Sequence, residues 1–508
     1  MPEILWGLKA ADSSPIPAIA PAPGVGESLT LRPAAKAWAD LAIAHHETLR
    51  ASQAAFDRSK SMRAALGLPT DGIVIMSGHQ AEWWHPGILA KWLAMEAAVR
   101  VLRDRGVEAR AAWVVVEQDS NEPWSIRVPS MTPDGTIVQK VEWPLQETGG
   151  SKFIPAADTP TGGLPPLNGA SLNTEGWSGK GPMSVSDGLE LMRASLKAFE
   201  GEASLARQLG LATRHALRHL GLTDPSLPET ILIQSGTLTA TDLFADVAGR
   251  LVADADTAVR AYNAAVLAEP GAKLRPLDIS AKGRIELPLW RVRPRASRAR
   301  VHADDLRSIP PAQLAARALL MTALLRQGAS DLFIHGLGGE VYERANQRWA
   351  DSWLAPGSLL TPIAVASSTR FIPGLAGPTP PPLPEEIARH VWAAHHARHA
   401  PDAAREPAAA AERAALVNAI RTARRDGRDP KIAFDALHAF LSRYREQQTG
   451  HLSSLEARAS HAQARRNESA VVYARDWAFP LYPPEALTAL RDQVRAAMLP
   501  PGDTIGHA

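Results

Sequence analysis

The chain has 508 residues, 45% hydrophobic and 21% charged, with a formal net charge of +2 and no cysteine. That length exceeds one typical core and implies two or three domains, while so small a net charge gives no argument for nucleic acid or an anionic membrane as a partner, neither of which is expected. Without cysteine, disulfides, thiol nucleophiles, thiolate zinc sites and iron–sulfur clusters are excluded, so any chemistry falls to His, carboxylates, hydroxyls, Lys/Arg, or a cofactor or metal with N/O ligands.

No uninterrupted apolar run approaches bilayer-spanning length. The opening Met1-Pro-Glu-Ile-Leu-Trp lacks the basic-then-apolar order of a secretory signal, so a cytoplasmic protein is expected. Residues 12–27 are Pro-rich and read as extended, and a long helical pattern follows from about Pro33 to Leu66. Ile73 to Met76 reads as a buried strand, and Pro86 starts a helix that runs to about Arg105. Gly78, His79, Gln80 and His85 stand between them, where open α/β folds bind ligands. Ala111-Ala-Trp-Val-Val-Val-Glu is apolar throughout and suits a strand buried on both faces, so the three elements form a right-handed βαβ unit by default.

Residues 146–186, rich in Gly, Pro, Thr and Ser, read as a long loop or insertion. Helical patterns return at 187–221; a buried strand ends at Gln234-Ser-Gly-Thr, and a helix follows from Ala240 to about Glu269. Residues 285–292 look like part of an irregular β segment, with Pro288 arguing against a central strand. A helix over 311–327 leads to Asp331-Leu-Phe-Ile-His-Gly-Leu-Gly-Gly-Glu, a second strand, glycine turn and helix. After Pro378 the composition shifts to Ala, Arg, Glu and His, and two helical patterns, 384–424 and 432–468, flank Asp426-Gly-Arg-Asp-Pro as a helical hairpin. A second subunit would cover its apolar stripe. The expected organisation is a mostly parallel α/β core over 1–378, the hairpin over 379–470, and a segment over 471–508 returning to the core.

Three places carry candidate chemistry. The loop after the first strand offers His79 and His85 as catalytic groups, with Gly78 and Gln80 against substrate. Glu117, Asp119 and Glu122 close the Trp113–Val116 strand with carboxylates that could orient an amine, bind ribose hydroxyls or hold magnesium, and Asn121 among them could contact substrate; Asp, Ser and Asn are also ordinary turn formers and helix caps. Ser235 would add a hydroxyl on the same edge. Around His335, the backbone of Gly336, Gly338 and Gly339 could cradle an anion; a tight packing turn holding a satisfied core histidine is the other reading. His215/His219 and His395/His399 lie four apart but lack a third metal ligand.

Together these residues resemble the BshC family, the cysteine-adding enzymes of bacillithiol biosynthesis. Ser77-Gly-His-Gln-Ala with Pro86-Gly and Lys91 is similar to the family's Thr-Gly-Gln-Gln-x-Gly loop and Gly-Pro helix start. Trp113-Val-Val-Val-Glu-Gln-Asp is similar to the strand that ends in Glu-Asp-His-Asp, and the turn at 335–340 resembles one in divergent relatives. His79 in place of a glutamine, and Gln118-Asp119-Ser120, depart from the pattern. The resemblance implies a Rossmann-like core of the class I synthetase type with inserted connecting segments, a coiled-coil hairpin pairing two subunits, and an amide-forming ligase. That ligase would join cysteine's carboxyl to the amine of glucosaminyl malate, using ATP or another nucleotide with magnesium. His79 and His335 would then be donors or acid/base groups, His85 would stabilise phosphate charge, and Glu117 and Asp119 would bind the amine or magnesium. A non-catalytic ligand-binding or scaffolding homologue is the competing expectation.

Overall fold

The computed structural model describes residues 27–119, 123, 125–132, 135–142, 155–164, 185–294, 296–355, 359–372 and 383–498. In chain order, β1 (Ser28–Arg32) is followed by α1 (Trp38–Ala51), α2 (Gln53–Ala65), β2 (Ile73–Gln80), α3 (Pro86–Asp104) and β3 (Ala109–Val116). A two-stranded ribbon, β4 (Ser125–Thr132) and β5 (Gly135–Glu142), precedes α4 (Val185–Lys197), α5 (Leu205–His219), β6 (Ile231–Gln234), α6 (Asp242–Ala253) and α7 (Ala255–Ala268). Next come β7 (Glu286–Arg291), β8 (Ala299–His302), α8 (Ala303–Leu306), β9 (Leu314–Ala316), α9 (Ala318–Gly328), β10 (Leu332–His335), α10 (Leu337–Trp349) and β11 (Ile363–Thr369). The last helices are α11 (Pro384–Ala397), α12 (Pro407–Arg425), α13 (Lys431–Gln447), α14 (Thr449–Val472) and α15 (Pro484–Met498).

The main sheet is mostly parallel, in the order β1-β11-β10-β2-β3-β6; only β1, on β11, runs antiparallel. Numbered in chain order, its five parallel strands lie side by side as 3-2-1-4-5. The order therefore reverses between β2 and β10, which are adjacent. Each face is assigned by strand alternation. Val74, Met76, Ala112, Val114, Val116 and Phe333 join one large core with α6, α7, α9, α10 and the β8-β7-β9 sheet. Trp113 faces the other way, onto α3, where its ring lies 5.4 Å from Trp92 and 4.3 Å from Trp84.

Contacts divide the chain into two compact units. The larger takes in Gly26–Ser130, Val138–Leu375 and Arg475–Ala508, and within it α15 packs on α3. The smaller is built around Ala376–Ala474, where α11 packs on α14 and α12 on α13 around Phe440, Leu441 and Tyr444.

Several expected elements are subdivided. The helix of 33–66 breaks at Ser52, which is extended (φ −111°, ψ 101°), and that of 240–269 breaks at Asp254. Helix α9 starts only at Ala318, because Leu314–Ala316 is a strand on β7. Pro288 sits in the middle strand of the small sheet, against expectation. The β7–β8 register shifts between Glu286 and Trp290, so the ladder is irregular where proline has no N–H to give. The hairpin's first arm is two helices, α12 restarting with Pro407 at its first turn; its second arm changes only at Gln448. Most of 146–186, together with Asn121 and Glu122, lies outside the described residues. Among the described residues no helix is long and apolar enough to cross a membrane.

Candidate functional site

Where strand order reverses in a parallel sheet, the chain leaves neighbouring strands toward opposite faces and opens a crevice at their carboxyl ends. Here β2 leads into α3 on one face and β10 leads into α10 on the other. Gly78 is required at the lip: a Cβ there would stand 2.6 Å from the Val114 carbonyl oxygen of the neighbouring strand.

On the α3 face, His85 caps the helix, its Nδ1 accepting from the Gly87 N–H at 3.0 Å. His79 Nδ1 lies 3.3 Å from Glu82 Oε1. Lys91, buried on α3, donates to the Gly78 carbonyl at 2.5 Å. Burial first, then the charge of Lys91, holds the His79 imidazole well below its ordinary value and brings His85 down to about 4. Burial also brings the Lys91 ammonium down to about 7, Glu82 partly opposing it. Both histidines are therefore neutral at pH 7. Behind them stand the indoles of Trp84, Trp92 and Trp113. The C-terminal segment closes this side: the Phe479 N–H donates to the Trp84 carbonyl at 2.6 Å, and Asp476 pairs with Arg127.

On the α10 face, His335 Nε2 lies 2.9 Å from Glu343 Oε1, and Arg326 donates to the same carboxylate at 2.6 Å. Burial would raise the Glu343 carboxyl, but His335 and Arg326 more than reverse this and hold it below its ordinary value. The glycine turn is partly a packing device. A Cβ on Gly339 would stand 2.7 Å from the His335 ring, and the Gly339 N–H already donates to the Gly336 carbonyl. Gly336 caps α10, with Gly338 in its first turn.

The third wall comes from β3 and β6. Glu117 accepts the Gly236 N–H at 2.7 Å, and its own N–H donates to Ser235 Oγ, which also bonds Gln118. Burial raises the Glu117 carboxyl, the Gly236 bond partly opposing it. Asp119 pairs with Arg298 at 2.7 Å and accepts from Gln80 at 3.1 Å.

The edge thus gathers Gly78, His79, Gln80 and His85, then Glu117, Asp119 and Ser235, then His335 with its glycines. It does not unite the two proposed acid/base histidines. His335 shares a face with Phe333, its ring 4.7 Å away, while alternation along β2 sends His79 to the α3 face. His215, paired with Ser195 at 3.0 Å, supports a helix contact instead. Sequence reasoning gave no role to Lys91, Glu343 or Arg298. Lys91 did carry a signal, as the single charge in the apolar run Ile88–Leu93. Among the described residues no three His, Asp or Glu side chains are grouped to hold a metal, and Glu117 and Asp119 are each engaged by protein partners. Compared with known proteins, the chain matches no family model and no curated protein.

Proposed function

We propose that the protein is a carbon–nitrogen ligase of the BshC type, with a Rossmann-like core whose reversal crevice holds an activating nucleotide, an amino acid and an amine acceptor. The observation that carries this reading is the convergence of both Gly/His loops, at 78–85 and 335–339, on the one point where strand order reverses. In this scheme an amino-acid carboxylate attacks a phosphorus of the nucleoside triphosphate, expelling pyrophosphate from the α-phosphorus or the nucleoside diphosphate from the γ-phosphorus. The amine of a glucosaminyl-malate-like acceptor then attacks the acyl carbon, the acyl C–O bond breaks with its pair going to the departing nucleoside monophosphate or phosphate, and the amine loses a proton. His79, neutral because buried and held beside Glu82, is suited to take that proton. The helical unit would pair two subunits as a coiled coil; Val391, Trp392 and Ile432 there are exposed apolar side chains.

A second reading, a binding homologue without turnover, is favoured by one observation: Asp119 is already neutralised by Arg298 where an amine would need a free carboxylate. Mass spectrometry of protein incubated with glucosaminyl malate, cysteine or other amino acids, and ATP separates the two. A condensation product supports the ligase; thermal stabilisation without product across the panel refutes it in favour of binding. Because His79 and His335 lie on opposite faces, their replacements should act independently. Replacing both should cost at least about tenfold in rate, roughly 1.4 kcal/mol, and a smaller loss removes them from the chemistry.

A further inference from the structure

Lys91 is 5% exposed, yet among the described residues no carboxylate lies within ion-pair distance of its Nζ. An ammonium has three donors. One goes to the Gly78 carbonyl, and the Trp113 ring centroid lies 5.3 Å away. A buried cation without a counter-charge is strongly unfavourable unless something supplies one. The neighbours do not restore the balance: His79 of β2 and His85 at the start of α3 are neutral and Arg475 of the C-terminal segment is a further cation, while among the described residues the one carboxylate whose charge reaches Lys91, Glu82, stands beside His79. The Lys91 stem comes within 4.0 Å of where a Cβ on Gly336 would sit, so it reaches the β10 side of the crevice.

A helix start usually receives anions on its free backbone amides. Here those amides are occupied. The Gly87 N–H donates to His85 Nδ1, the Ile88 and Leu89 N–H groups donate to the His85 carbonyl, and Pro86 has none. Because Nδ1 of the neutral His85 accepts, its proton is on Nε2, which is a donor. Recognition of negative charge is thereby shifted from backbone to side chains.

We infer that Lys91, with the Nε2–H of His85, is the receptor for an oxyanion of the ligand, a phosphoryl or carboxylate group. This rests on the crevice reading above and names the charged end of what enters it. Lys91 anchors the anion as a full ion pair, and the His85 imidazole sets its orientation. An arriving anion favours the ammonium, so binding draws a proton onto Lys91. The affinity is then greatest below about pH 7 and declines by up to about tenfold per pH unit above it. The other groups facing this pocket are His79, Glu82, Arg127 and Arg475, with Trp113 of β3 and the Ser368 carbonyl of β11 uncharged.

Isothermal titration of the full chain with pyrophosphate and with succinate tests this, at constant ionic strength between about pH 6 and about pH 8. The expected result is binding of at least one probe with proton uptake at the upper pH, and about a tenfold loss of both affinity and pH slope in Lys91→Met. Binding of pyrophosphate alone assigns a phosphoryl group, and of succinate alone a carboxylate. Wild-type affinity in Lys91→Met, or no binding of either probe, overturns the assignment. Should that variant fail to fold, NMR titration of labelled lysine in the unaltered protein decides: the Lys91 pKa must rise when the bound probe is added, and an unchanged value overturns it. Anion binding without any condensation product would retire the ligase and leave Lys91 standing. A product formed equally well by Lys91→Met would do the reverse.

Discussion

Asp331 supplies the sharpest test of how the core is held. It stands at the amino end of β10 with no solvent exposure. The Val74 N–H and Arg63 Nη2 each donate to Oδ2 at 2.8 Å, and the Nδ1 atoms of His46 and His45 lie 3.2 Å and 3.4 Å from Oδ1. Arg63 also donates to the Gly72 carbonyl at 3.0 Å. One carboxylate therefore ties α1, α2, β2 and β10 together. Asp331→Asn keeps the shape, removes the charge, and leaves Arg63 buried without its partner. Breaking one side of a buried pair costs about 3–5 kcal/mol, and two charge-assisted hydrogen bonds at about 1.5–3 kcal/mol each give an overlapping range of about 3–6 kcal/mol. Urea unfolding followed by tryptophan fluorescence should show that loss at neutral pH. Burial alone would raise the Asp331 carboxyl, but His45, His46 and Arg63 outweigh it and hold it far below the ordinary aspartate value. A depressed folded pKa means the contribution is complete above about pH 4 and fades as pH falls further, so the deficit of the variant should shrink in acid. A variant within about 1 kcal/mol of wild type at neutral pH, with an unchanged acid profile, would refute this account of the network.

Two further substitutions follow from burial and close contact. Glu96 on α3 is 8% exposed, and burial raises its carboxyl to about 7 despite hydrogen bonds from the Asp224 N–H and Thr230. A raised folded pKa removes stability as pH climbs from 4.5 toward 7. Glu96→Gln should therefore gain roughly 2–3 kcal/mol on wild type over that window, and paired melts that keep a constant gap would contradict it. Gly339→Ala places a methyl against the His335 ring. Melting should show about 1–3 kcal/mol lost and the His335 ring signal displaced from Glu343, whereas an unaltered Tm would show that the turn has room.

The elements that build the crevice were legible because each begins as an unbroken apolar run ending in Gly, His or an acid: 73–80, 111–119, 231–236 and 332–339. Strand β11 was not, since Ile-Ala-Val-Ala-Ser-Ser-Thr offers little bulk and acquires its meaning only between β1 and β10. The separation of His79 from His335 was equally invisible. It depends on strand parity and register, where one residue reverses a side chain's direction. Lys91 stood in the motif that resembles the family's helix start but had no assigned role, because its loss of water comes from the packing of β3, β11 and α15 around α3. The irregular β segment around Pro288 was legible, but its central place between β8 and β9 was not, because a register irregularity lets the small sheet dispense with the missing donor.

The placement of β10 between β2 and β11 also bears on how the chain emerges during synthesis. β2 can find β3 almost at once, but its other edge waits for a strand roughly 250 residues later. At about 5–20 residues per second, that edge stands open for between about 12 and 50 seconds. It is a run of Ile, Val and Met with unpaired backbone groups, which is a template for pairing with the wrong chain. The nascent protein must be sheltered over that interval, and its yield in a foreign host should depend more on translation speed and chaperone supply than on the stability of the finished sheet.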